Sequence, residues 1–172
     1  MAVKTATITL DGPDLRFIAR SGSGHTFAVD DGGGDTGPRP AELIPIAVAG
    51  CTALDVISIL RKKRQEVTSY EVRAEGIQMD EHPNAFTRID VVHVVEGPAL
   101  NVEAVRRAIE LSATKYCSVG ATLSSGMTEI HHAYVVRDGT GTELSAEVIV
   151  LGPNADPTAT AAEPLVPAAS AS

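Results

Sequence analysis

The sequence predicts an α+β fold: antiparallel β-structure around one long, buried central helix. Three observations predict it. Residues 41–60 read AELIPIAVAGCTALDVISIL, apolar nearly all round and too long for a single strand. Short alternating segments before and after this stretch carry the two-residue period of strands. An amphipathic segment after Asn101 carries the period of a helix.

The elements follow in order. Ala6-Thr7-Ile8-Thr9-Leu10 alternates, and Asp11-Gly12-Pro13-Asp14 is a turn. Leu15–Arg20 and His25–Asp30 flank Ser21-Gly22-Ser23-Gly24, which predicts a hairpin. The Gly/Pro-rich run from Gly32 to Pro40 is a loop. The central helix follows, with Pro40 near its first turn and Pro45 tolerated only if it too lies close to the start. Arg61-Lys62-Lys63-Arg64 places cations at the negative pole of the helix dipole. Ser69–Met79 and Thr87–Glu96 read as strands, the second with Ile89, Val91 and His93 on one face. Asn101 suits the N-cap of a helix through Tyr116, and Cys117 opens a short segment, Val119–Leu123. Met127–Val136 reads as the last strand. This gives a domain over residues 1–137, a short extension over 138–151, and a tail over 152–172. The tail holds seven Ala and four Pro but only Leu165 and Val166 as large apolar residues. It cannot offset its ordering entropy and is expected to be disordered.

Composition excludes some functions. Among 172 residues, 14 basic and 22 acidic side chains leave a net charge of −8. No basic stripe is available to neutralise phosphates, so a nucleic-acid partner is not expected. The N-terminus has no apolar run of signal-peptide type, and no uninterrupted run of about 18 apolar residues appears, so neither secretion nor a membrane partner is expected. Two cysteines cannot make a disulfide framework and suit a reducing compartment, the cytoplasm.

Those cysteines are the main candidates for chemistry. Cys51 lies mid-helix and Cys117 at a helix end, far apart in sequence, with no CxxC motif and no zinc-knuckle spacing. Two readings are open. Both can be small core hydrophobes. Alternatively they meet in space, one as a thiolate that attacks an oxidant, the other resolving the resulting sulfenic acid as a disulfide. Asp55 follows Cys51 by one turn, where a carboxylate raises rather than lowers a thiol pKa. His131 and His132 are neighbours on a strand, point to opposite faces and cannot chelate one metal together. Lys115 precedes Cys117 at a helix end. No metal site is expected.

Three segments carry a family resemblance: Pro38-Arg39-Pro40-Ala41-Glu42-Leu43, Ala49-Gly50-Cys51, and Lys115-Tyr116-Cys117-Ser118-Val119. With the order of elements, they resemble the OsmC/Ohr family over residues 1–137. The resemblance implies an intertwined homodimer of α+β subunits with active sites near the interface. It implies that Cys51 is a reactive thiol reducing organic hydroperoxides and that Cys117 resolves it. An external dithiol, such as a lipoyl group, would restore the pair, and no metal, flavin or other cofactor would be needed. The apolar helix would line a pocket for the alkyl part of the substrate.

The sequence also departs from the peroxidatic members. These use a Glu ten residues before the reactive Cys and an Arg from the N-terminal region. Ala41 stands at that position and Glu42 beside it. On a continuous helix, Glu42 faces away from Cys51. Arg16, Arg20 and Arg39 are candidates for the Arg, and Ser118 stands where peroxidatic members carry Pro. Arg39, Glu42 and His25 are therefore electrostatic partners of the thiol by expectation only. The departures keep a second reading open, a non-peroxidatic module that binds a hydrophobic ligand or acts as a slow thiol redox sensor.

Overall fold

The computed structural model describes residues 2–155. The predicted tail lies almost wholly outside the described residues. The chain forms two compact units, one ending at Ile44 and the other starting at Pro45.

The first unit is a three-stranded antiparallel sheet, β1 (Ala6–Leu10), β2 (Phe17–Ser21) and β3 (Thr26–Val29), in that order. The predicted hairpin is present. Ser21 N–H donates to the His25 carbonyl at 2.9 Å, and Gly24 turns the chain at φ +94°, where a side chain would be strained. The following loop is organised by the buried Asp30 carboxylate. It accepts from the N–H groups of Gly32 and Thr36 and from the Thr36 hydroxyl at 2.6–2.8 Å, which holds its pKa below the usual carboxylate range.

A 3₁₀ turn, Pro40–Glu42, leads into α1 (Leu43–Lys62). Pro45 falls in the first turn, where its missing N–H costs nothing. The buried residues Val48, Thr52, Val56 and Leu60 are spaced by four and form one stripe. The expectation of a helix buried all round needs correction. Ile46 is 58% exposed and Leu54 73% exposed, so an apolar stripe faces outward. By length and composition alone Pro40–Lys62 could cross a membrane, with a mean hydropathy of 2.2 in its most apolar window. In this fold its buried stripe packs on protein instead.

The second unit is a four-stranded sheet in the order β4 (Ser69–Gln78), β5 (Phe86–Gly97), β6 (Glu129–Asp138) and β7 (Glu143–Leu151). It is mixed rather than wholly antiparallel, because β5 and β6 run parallel. Parallel neighbours need a crossover. Here it consists of α2 (Val102–Leu111), a π-helical turn (Ser112–Tyr116) and α3 (Ser118–Ser124). Asn101 caps α2 as expected, accepting from Ala104 N–H at 2.9 Å. The predicted extension is not an appendage, since residues 143–151 pair antiparallel with β6. Val56 and Leu60 of α1 join Val105, Ala108 and Ile109 of α2 and Val95, Tyr134, Val136 and Val148 of the sheet in one core.

At the end of β5, Gly97 passes so close to the Glu66 carbonyl oxygen that an added Cβ would collide with it. Backbone cannot yield as a flexible side chain does. Gly97→Ala is therefore expected to lower stability by about 1–3 kcal/mol, read from urea unfolding at neutral pH.

Candidate thiol site

Cys51 and Cys117 come together although they lie on different elements. Cys51 is half-buried on α1. Cys117 is 3% exposed and is the N-cap of α3, where its sulfur accepts from Gly120 N–H at 3.3 Å. Its own N–H donates to the Ser112 carbonyl at 2.8 Å, so the π-helical turn fixes its backbone. The two thiols lie near each other. Burial pushes the Cys117 pKa up to about 12, aided by the neighbouring Cys51 thiol and by the negative field of Asp55, against the Gly120 N–H. Cys117 is thus a protonated thiol at neutral pH, and Cys51 is the more accessible of the pair.

A polar network lies beside the thiols. Ser112 Oγ donates to Asp55 Oδ2 at 3.0 Å. Ser112 has a single hydroxyl proton, so the buried 2.9 Å bond to Thr52 Oγ1 has Thr52 as its donor. On the sheet, Tyr70 Oη lies 2.8 Å from His93 Nδ1, and His93 Nε2 lies 3.5 Å from His132 Nδ1. The rings stack, with centroids 6.1 and 5.8 Å apart. Burial, then the nearby Asp55 charge, push the Tyr70 phenol upward. Burial lowers His132 to about 4, with His131 adding to the effect, and holds His93 well below the usual range, with His132 adding. All three are neutral near pH 7.

His131 points the other way, as strand geometry requires. It lies 3.3 Å from both Glu129 and Glu147. Among the described residues, no group of three or more His, Cys, Asp and Glu side chains converges to hold a metal ion.

The remaining candidates belong to the first unit. His25 is exposed at its turn. Glu42 Oε2 accepts the Arg39 backbone N–H at 2.7 Å, so its carboxylate caps the turn that opens the helix. The Arg39 guanidinium lies against Gly32 rather than on Glu42. Ala41 sits in the same turn. Lys115 lies over the Tyr116 ring at 5.5 Å. Ser112, Thr52 and Tyr70 were not singled out from the sequence. The first two left a signal: each is a hydroxyl interrupting an otherwise apolar helical stripe, Val48-Thr52-Val56-Leu60 and Val105-Ala108-Ile109-Ser112.

Residues 32–132, which include both cysteines, match the family model for OsmC-like proteins. The chain belongs to the OsmC family. Among its OsmC relatives, Protein YhfA of Escherichia coli K12 is 43% identical over 122 residues, spanning 71% of this chain and 90% of the relative. A crystal structure of a hypothetical protein from Aquifex aeolicus VF5 is 27% identical, with a TM-score of 0.70, covering 80% of this chain and 98% of that one. An organic hydroperoxide resistance protein from Elizabethkingia anophelis shares the OsmC fold at 18% identity and a TM-score of 0.54, covering 81% and 98% of the two chains.

Proposed function

We propose that the protein is a thiol-dependent peroxidase for small organic hydroperoxides. The observation that carries this reading is the proximity of two cysteines far apart in sequence, one half-buried and one buried. The names of structural neighbours as organic hydroperoxide resistance proteins support it. The Cys51 thiolate attacks the distal peroxide oxygen. The O–O bond breaks, an alcohol leaves once protonated, and Cys51 becomes a sulfenic acid. The Cys117 sulfur then displaces the hydroxyl as water, leaving a disulfide. An external dithiol, a lipoyl group in our reading, reduces it in the cytoplasm.

The outward apolar stripe of α1 supports a homodimer. Only 22% of the most apolar window of that helix is buried within the chain. A second copy of the chain would cover Ile46 and Leu54. Leu54→Asp is expected to give a monomer by light scattering at a concentration where the wild type is dimeric.

One observation favours the second reading. Ala41 offers no carboxylate, and Glu42 is engaged as a cap. Without the polarising pair, the protein would hold a hydrophobic ligand or respond slowly as a redox sensor. Peroxide consumption with cumene hydroperoxide and dihydrolipoamide separates the two. A second-order rate several orders of magnitude above that of a free thiol supports the peroxidase. A rate equal to that of a free thiol, or an apolar molecule co-purifying with the protein, supports the binding module.

A further inference from the structure

Disulfide closure requires Cys117 to lose a proton, because the thiolate is the attacking species. Its surroundings oppose this: the sulfur is buried and within the negative field of the Asp55 carboxylate. A nearby base must take that proton. His93 is bonded to Tyr70 and to His132, and Lys115 is a cation over Tyr116. Asp55 is placed differently. It stands one turn beyond Cys51 on α1 and is held by the Ser112 hydroxyl, which Thr52 orients in turn. Among the described residues no lysine, arginine or histidine pairs with it, and it is the carboxylate whose field reaches the Cys117 thiol. A half-buried carboxylate without a cation is a costly way to satisfy one serine hydroxyl, which an Asn carbonyl would satisfy equally.

We propose that Asp55 is the proton acceptor for Cys117 during disulfide closure, with Ser112 and Thr52 as its positioning residues. The inference rests on reading the two cysteines as a redox pair. The Cys117 S–H bond breaks as its sulfur bonds to Cys51, and the proton passes to the Asp55 carboxylate. When Cys51 is a sulfenic acid, its S–O bond breaks and the departing hydroxide takes the proton from Asp55 as water. The Cys117 sulfur is oxidised and the Cys51 sulfur reduced to the same level. When Cys51 instead carries a mixed disulfide, its partner departs with the bonding electron pair and Asp55 returns the proton to solvent.

The mixed-disulfide case gives a test independent of peroxide. The reduced full-length protein is mixed with 4,4′-dithiodipyridine, a neutral disulfide, and thiopyridone release is followed by stopped flow. The wild type is expected to release one thiopyridone as Cys51 reacts and a second as Cys117 closes the disulfide. Charge alone and proton transfer predict opposite results for Asp55→Asn. Removing a negative neighbour eases Cys117 ionisation and would speed the second phase. Removing the acceptor slows it about a hundredfold, the lower end of general-base effects. The slowed phase becomes hydroxide-dependent, rising about tenfold per pH unit across roughly pH 6 to 8, where the wild type is flatter. Asp55→Glu, which keeps the carboxylate, restores part of the rate, and Ser112→Ala slows closure less than Asp55→Asn. The first phase reports folding and access to Cys51 in each variant. A second phase unchanged or faster in Asp55→Asn overturns the proposal, and so does a wild type that never releases the second thiopyridone. Normal closure with dithiodipyridine but no reaction with cumene hydroperoxide overturns the peroxidase reading and leaves Asp55 in its role.

Discussion

Cys51→Ser is expected to reduce peroxide consumption to the uncatalysed background, a loss of about a thousandfold or more, because a serine hydroxyl is not ionised at neutral pH and cannot replace a thiolate. Cys117→Ser is expected to behave differently. Its first reaction with peroxide persists, but without the resolving thiol the sulfenic acid accumulates after one turnover. The asymmetry follows from the environments. Cys51 is half-buried, whereas Cys117 is enclosed, bonded to Gly120 N–H and held as a thiol. Rapid mixing with cumene hydroperoxide and dimedone capture of the sulfenic acid distinguish the variants. Capture at position 117 in Cys51→Ser, at the wild-type rate, would exchange the two roles.

Acid is expected to destabilise the fold through the buried histidines. An unfolded histidine titrates near 6.5, whereas folded His132 titrates near 4. Between these values the unfolded chain binds the extra proton and the folded chain does not. The stability that neutral His132 contributes is complete above about pH 6.5 and is lost as pH falls towards 4. The full loss is about 3 kcal/mol. His93 acts in the same direction, since burial lowers it too. The groups around the pair do not reverse the sign: Tyr70 is an un-ionised phenol bonded to His93, and Glu129 and Glu147 engage His131 on the other face of the sheet. Urea unfolding at pH 7.5 and pH 5 measures the effect, and His132→Gln should flatten it. Equal stability at the two pH values would mean that the histidines are protonated or hydrated in the folded protein.

The elements that the sequence revealed best are those in which local pattern and tertiary role agree. Alternation located β1, β4 and β5, and the caps and prolines bounded α1 and α2. The parallel β5–β6 pairing was hidden, because strand direction depends on the path of the crossover rather than on the residues of either strand. β7 carries a readable pattern, Glu143 to Leu151 following the Asp138-Gly139 turn, but the alanine- and proline-rich segment after it masked the strand. The one-sided burial of α1 could not be read from its sequence. A helix that is apolar all round looks the same whether its second face meets the chain's own core or is left outward, as Ile46 and Leu54 are.

The thiol site was legible in part. Residue type singled out both cysteines, and family resemblance assigned their roles, but their proximity depends on α1 meeting the turn before α3. The hydroxyls of Thr52 and Ser112 were visible only as breaks in apolar stripes. The sequence placed Asp55 one turn from Cys51; that its negative field also reaches Cys117 needed the structure. Its bond to Ser112, which orients the carboxylate, needed the structure.

The central claim is that Cys51 and Cys117 form one redox pair. The most direct measurement is a thiol count with intact-mass analysis before and after one equivalent of cumene hydroperoxide, on the wild type and Cys51→Ser. We predict rapid loss of both thiols and a mass lower by two hydrogen atoms in the wild type, with neither change in Cys51→Ser. Two free thiols and an unchanged mass after prolonged exposure would contradict the account and make both cysteines core residues.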